Sequence, residues 1–164
     1  MANTLETLAA VFDMLAAHDA PCDIFGGWAE ELLQVSRPRI HSDIDLIHRA
    51  PTFAAIDAAI TGLASTVREI PEKRFLHKRA FVFRDVLCEI TLVQDADTQP
   101  VTYYWGDLAF HWEVPLCCNP GDSICGRQVS VVSAANLARH RLHWSKTQPH
   151  RWRDPQSLEM PASI

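Results

Sequence analysis

Long apolar runs are missing from this chain. None of its stretches approaches the roughly 20 residues needed to cross a bilayer, and Met1-Ala2-Asn3-Thr4-Leu5-Glu6 lacks the basic region of a secretory signal. The expectation is a soluble, cytoplasmic protein with no membrane partner. Positive charge is also in short supply: Lys and Arg number 15 against 20 Asp and Glu, for a formal net charge of -5. General nucleic-acid binding needs a basic footprint, so nucleic acid is not the expected partner, whereas a small cationic substrate is compatible. Cys-x-x-Cys pairs are absent. The five cysteines, Cys22, Cys88, Cys117, Cys118 and Cys125, are odd in number. Cys22 and Cys88 lie in apolar strand-like stretches and read as small buried hydrophobes. Cys117-Cys118-x6-Cys125 has neither the spacing nor the histidine partners of a closed zinc site. No His-Glu-x-x-His pattern occurs among the histidines, which sets a zinc-hydrolase reading aside. Low-complexity tracts and internal repeats are lacking as well.

What is present suits one globular domain with a real core: 164 residues, 48% hydrophobic and 21% charged. Residues 1–147 are read as that domain, and residues 148–164, with Pro149, Pro155 and Pro161, as a loosely ordered tail. Leu5, Leu8, Phe12, Leu15 and Ala16 repeat at helical spacing over residues 3–18, with Asn3 and Glu6 as a capping box. Cys22 to Phe25 reads as a strand. Gly26-Gly27 then turns the chain into a helix reaching Val35, with Trp28, Leu32 and Leu33 on its buried face. After a basic loop, Ser42 to His48 reads as a second strand, and a helix runs from Pro51 to Ala64. A short strand at Val67–Ile70 precedes a hairpin of Phe75–Arg84 and Val86–Val93. Residues 94–125 carry acidic, aromatic and turn residues without clear period, and Tyr103-Tyr104-Trp105 is read as core packing. Gly126–Val132 is the expected last strand, and Ser133 the cap of a helix from Ala134 to His143. The fold class is therefore α/β, a small mixed sheet flanked by helices.

Two acidic residues stand out on the second strand. Residues i and i+2 of a strand share a face, so Asp43 and Asp45 present two carboxylates side by side while Ile44 and Leu46 turn toward apolar packing. Such a pair repels itself unless something positive lies between, and oxygen ligands suit Mg²⁺. Glu89 sits within the apolar run Val86–Val93, a costly place for a carboxylate without a partner. If its strand neighbours that of Asp43 and Asp45, the three converge on one patch. That is equipment for metal-assisted phosphoryl or nucleotidyl transfer. Gly26 and Gly27 let backbone approach phosphate oxygens, and the following helix aims its first N–H groups there. Arg37, Arg39 and His41, beside Ser42, are candidate ligands of the β- and γ-phosphates. Lys78 and Arg79 are adjacent on a strand, so only one of them faces such a site.

Gly26-Gly27-Trp28-Ala29, a helix, an Arg-containing loop and His41-Ser42-Asp43-Ile44-Asp45-Leu46 together resemble the nucleotidyltransferase superfamily of the polymerase β type. The nearest likeness is to its aminoglycoside 2''-adenylyltransferase and lincosamide nucleotidyltransferase group. The resemblance covers roughly residues 20–95, and Gly126-Arg127-x-Val129 running into Ser133 echoes the closing segment. It implies a nucleotidyltransferase that moves a nucleoside monophosphate, most simply AMP from ATP, to a hydroxyl of a small molecule such as an aminoglycoside or lincosamide antibiotic. On this likeness Gly26, Gly27, Arg37, Arg39, His41, Ser42 and Lys78 bind the nucleotide. Asp43, Asp45 and Glu89 hold two Mg²⁺ ions, and Glu89 doubles as general base. The same chemistry on a protein or tRNA, as in toxin and antitoxin nucleotidyltransferases, and a non-catalytic nucleotide-binding module are the alternatives. Two positions depart from the group: Glu31 stands where relatives tend to have Asp, and the third acid is Glu where many have Asp.

Overall fold

Seven strands form the main sheet, in the order β3-β4-β5-β2-β1-β9-β8, in a computed structural model that describes residues 3–149. The 148–164 tail expected from sequence therefore lies almost wholly outside the described residues. The strands are β1 (Asp23–Phe25), β2 (Asp43–Arg49), β3 (Arg68–Glu69), β4 (Lys78–Phe83), β5 (Val86–Val93), β8 (Cys117–Cys118) and β9 (Val131–Val132). A separate hairpin pairs β6 (Val101–Tyr104) with β7 (Leu108–His111). The helices are α1 (Leu5–Ala16), α2 (Gly26–Leu32), α3 (Ala54–Gly62), α4 (Ala134–Leu142) and α5 (Trp144–Thr147). Among the described residues, no helix is long and apolar enough to cross a membrane.

The middle of the sheet is a mixed unit. Strand β2 pairs parallel with β5 along its whole length and antiparallel with β1. Its inward residues Ile44, Leu46 and Ile47 are fully buried, as are Cys88 and Ile90 of β5. They join Leu8, Val11 and Leu15 of α1 and Ile56 and Ile60 of α3 in one core. Strands β4 and β5 make the hairpin expected from sequence. Its two-residue turn places Arg84 and Asp85 at φ 50° and 65°, the left-handed pair that matches the strands' twist. Arg79 reaches Asp57 of α3 at 2.6 Å, with its guanidinium over the Phe53 ring. Lys78 points to the opposite face of the sheet, so the two faces are divided between neighbours.

Several boundaries differ from the sequence reading, each for a local reason. Thr4, not Asn3, caps α1, accepting from Thr7 N–H at 3.3 Å. Asn3 instead donates to the carbonyl of Asp43 at 2.7 Å and accepts from the Trp28 indole at 3.1 Å. It ties the chain's start to the start of β2 and to α2. Helix α3 begins at Ala54 rather than Pro51. Helix α2 ends at Leu32, because Gln34 turns into the left-handed region at φ 58°. Its buried residues are Trp28, Ala29 and Glu30, with Leu32 and Leu33 only half-buried. Only Val131 and Val132 of the expected Gly126–Val132 strand pair in the sheet. Ser133 caps α4 as expected, accepting from Asn136 N–H at 3.4 Å.

Candidate active site

Register alone brings the carboxylates together. Asp45 lies opposite Glu89 in the parallel β2–β5 ladder and opposite Phe25 in the antiparallel β1–β2 ladder. Oxygens of Asp43, Asp45 and Glu89 all fall within 4.8 Å of one another. Three hard oxygen donors at that spacing fit a divalent cation of the Mg²⁺ kind. Room for them comes from Gly26, whose φ is +60° and whose missing Cβ would stand 2.3 Å from Oδ2 of Asp45. Any larger residue there would meet the carboxylate and adopt a left-handed backbone disfavoured for a side chain. Gly27 does the same for the loop: a Cβ would sit 2.7 Å from Nδ1 of His41 and 3.0 Å from the Arg39 guanidinium. The glycine pair thus clears space for the site's own side chains.

Glu89 is buried and held by two ammonium groups. Lys73 donates to Oε1 at 2.6 Å and Lys78 to Oε2 at 3.0 Å. Burial works to raise its carboxyl pKa, but attraction to Lys78 and the hydrogen bond and charge of Lys73 outweigh it, so the group titrates below the usual range. It is a carboxylate at neutral pH. Lys73, at the end of a 3₁₀ turn over Pro71–Lys73, escaped the sequence reading because Pro71-Glu72-Lys73-Arg74 carries no periodicity that aims any of its charges.

The remaining candidates divide. Gly26, Gly27, Arg39, His41, Ser42 and Lys78 line, with the three acids, one open cleft of about 780 Å³. Arg37 is exposed and stands outside this lining. Ser42 donates to Oδ1 of Asp43 at 3.1 Å. His41 is buried, its ring tilted against that of Trp28 with centroids 4.1 Å apart and bonded to Glu31 at 2.8 Å, so it supports the glycine turn. The extra methylene of Glu31 is used to reach both His41 and the backbone N–H of Arg39 at 3.2 Å.

Two further cleft residues, Glu30 and Arg141, were not evident from sequence. Glu30 of α2 is buried and receives Arg141 of α4 through two hydrogen bonds of 2.5 Å. A signal existed: an acid beside the phosphate-facing turn demands a cation, but nothing in the sequence names which.

The far wall of the cleft is aromatic. Phe75 and Trp105 meet edge to face at 5.0 Å, and both contact the ring of His77. The Tyr103-Tyr104-Trp105 group is split rather than uniformly core. Tyr104 is fully buried with its hydroxyl 3.0 Å from Nε2 of His140, Tyr103 is exposed, and Trp105 lines the cleft. His140 and His143 stand at His-x-x-His spacing on α4. They are no metal pair: His140 accepts from the Trp144 indole at 3.2 Å, and His143 bonds the carbonyl of Arg139 at 2.9 Å.

The cysteines are free. Cys88 is buried as expected, while Cys22 precedes β1 and is half-buried. Burial pushes the Cys88 and Cys117 thiols up to about 12, which leaves them as unreactive thiols.

A sheet ordered around paired β2 and β5, carrying three clustered acids beside a glycine turn, is the architecture of a nucleotidyltransferase. Residues 7–154 match the family model for aminoglycoside-2''-adenylyltransferase, and the chain belongs to that family of nucleotidyltransferase enzymes. Solved structures agree on the fold. A lincosamide antibiotic adenylyltransferase with lincomycin bound is 12% identical, with a TM-score of 0.69 over 93% of this chain and 94% of that one. The antibiotic-resistance factor ANT(2'')-Ia in complex with adenylyl-2''-tobramycin is 19% identical, with a TM-score of 0.62 over 90% and 80%. A putative nucleotidyltransferase of Thermotoga maritima is 13% identical, with a TM-score of 0.60 over 91% and 89%. A comparison with curated protein sequences finds no match.

Proposed function

We propose that the chain transfers a nucleoside monophosphate, AMP from ATP, to a hydroxyl of a small antibiotic-like acceptor and releases pyrophosphate. The observation that carries this reading is the convergence of Asp43, Asp45 and Glu89 within 4.8 Å at the mouth of the Gly26-Gly27 turn. Asp43, Asp45 and Glu89 would hold Mg²⁺, which supplies Lewis-acid stabilisation of charge on the phosphates. Glu89, kept ionised by Lys73 and Lys78, takes the proton of the acceptor hydroxyl. The acceptor oxygen forms its bond to the α-phosphorus as the bond from that phosphorus to the β-bridging oxygen breaks. Pyrophosphate leaves with the electron pair, and the proton remains on the Glu89 carboxyl. Gly26, Gly27, Arg39, Ser42 and Lys78 face the polyphosphate, with His41 bracing the turn. Arg37, exposed outside the cleft, has no place in it.

The acceptor enters on the Glu89 side, where Phe75 and Trp105 offer ring faces for stacking. Relatives bound to lincomycin and to adenylyl-2''-tobramycin support a small hydroxyl-bearing acceptor. The test is pyrophosphate release with Mg²⁺ and each of the four NTPs against a panel of lincosamides, aminoglycosides and tRNA. Turnover is expected with ATP and at least one antibiotic and not with tRNA. Release with tRNA alone would replace the acceptor assignment, and no release with any acceptor would overturn the proposed transfer.

A further inference from the structure

Glu30 is an unexpected residue in a cleft built for anions. The residue is 5% exposed and stands on the helix that the glycine turn opens, and its carboxylate by itself would repel a polyphosphate. Two guanidiniums converge on it. Arg141 grips both oxygens through Nε and one terminal nitrogen, each at 2.5 Å, and Arg39 reaches Oε2 at 3.4 Å. The Arg141 guanidinium also lies over the Trp144 ring, 4.9 Å from its centroid. One carboxylate between two guanidiniums leaves a net charge of about +1. A guanidinium has five N–H donors, and Arg141 uses two of them on Glu30. The others have no protein partner among the described residues. Arg39, Arg141 and Trp144 line the same cleft as Gly26, Gly27 and Asp45.

Taking the nucleotidyltransferase reading above as its base, we propose that Glu30 is a positioning residue. It holds Arg141 of α4 and Arg39 of the loop as a paired clamp for the pyrophosphoryl end of the nucleotide. Planar forks recognise phosphate in a fixed geometry, so their orientation matters as well as their charge. The tie also joins α4 to the nucleotide side of the cleft. The clamp would engage nucleoside triphosphate and inorganic pyrophosphate and be indifferent to nucleoside monophosphate.

Glu30→Gln separates this role from a purely electrostatic one. The substitution removes a negative charge from an anion site. If Glu30 contributes only its charge, pyrophosphate binds more tightly to the variant. If it positions the arginines, binding weakens despite the gained charge. Calorimetry with Mg²⁺ and inorganic pyrophosphate, ATP or AMP as titrant reads the difference, with thermal unfolding of each variant alongside. The expectation is a roughly 10-fold or greater loss for pyrophosphate and ATP in Glu30→Gln and Arg141→Gln, with AMP unchanged. Arg141→Lys keeps the charge and loses the fork, so it should show the same selective loss. It carries the test if Glu30→Gln does not fold. Unchanged or tighter pyrophosphate binding in Glu30→Gln, or unchanged binding in Arg141→Lys, overturns the clamp alone. A native chain that binds neither ATP nor pyrophosphate overturns the underlying reading instead.

Discussion

At the scale of single residues, the site is a set of charges that would not tolerate burial alone. Glu89 is stable as an anion because Lys73 and Lys78 occupy its two oxygens, and Arg141 pairs with both oxygens of Glu30. His77 is solved in the opposite way, by staying neutral. It is 1% exposed, and its Nδ1 accepts the Trp105 backbone N–H at 3.1 Å, which puts the ring proton on Nε2. That Nε2 is buried with no hydrogen-bond partner among the described residues. Burial, reinforced by the charge of Lys78 and only partly opposed by Glu89, pushes its pKa down to about 4. The unfolded chain takes up this proton near 6.5, the folded chain only near 4. Between those values the unfolded state binds more protons, so stability falls as pH drops through the window, by up to about 3 kcal/mol. Urea unfolding at pH 7 and pH 4.5 should show this loss in the native chain. A much smaller loss is expected in His77→Asn, whose amide oxygen can still accept from Trp105. Equal losses in both would assign the acid limb to other groups.

Among the elements, the β2–β5 ladder does most to create the site, and it was also the most legible part. The alternation Asp43-Ile44-Asp45-Leu46 sorts two carboxylates from two core residues by period alone, and the structure buries Ile44 and Leu46 completely. The hairpin of β4 and β5 was readable for the same reason. Its consequence for Lys78 and Arg79, one to each face, follows from adjacency on a strand. Elements set by a single polar contact were harder to read. Asn3 looked like a cap because its spacing to Glu6 is that of one, yet its partners are Asp43 and Trp28, far along the chain. Helix α4 shows both cases. Ser133 was recognisable as its cap, whereas the role of Asn136 was not. Fully buried, Asn136 accepts from Glu113 N–H at 2.8 Å and donates to the Glu113 carbonyl at 3.0 Å and the Leu116 carbonyl at 3.3 Å. Ser133→Ala is expected to lower stability by about 1 kcal/mol. Asn136→Ala should cost more, roughly 2–4 kcal/mol, since it removes a fully buried side chain together with its hydrogen bonds to the Glu113 and Leu116 backbone. Thermal or denaturant unfolding of the two variants checks the order, and a larger loss from Ser133→Ala would contradict it.

On the scale of the whole molecule, the cleft is where two halves of the chain meet. The first half supplies the glycine turn, the acidic strand and the Glu89 hairpin, all carried by local pattern and all readable. Residues beyond 95 supply Trp105, His140 and Arg141, and these depend on how α4 and the β6–β7 hairpin dock, which no local period encodes. That is why the cluster of Asp43, Asp45 and Glu89 was legible and the places of Trp105 and Arg141 in the cleft were not. The role proposed for Asp43, Asp45 and Glu89 is that of a metal-dependent nucleotidyl-transfer site. The most direct measurement is pyrophosphate release by Asp45→Asn, with Mg²⁺, ATP and an accepted antibiotic, beside a melting curve of the same variant. Loss of turnover to the uncatalysed background with the fold retained is the predicted result. Pyrophosphate release at the native rate by a folded Asp45→Asn would contradict it.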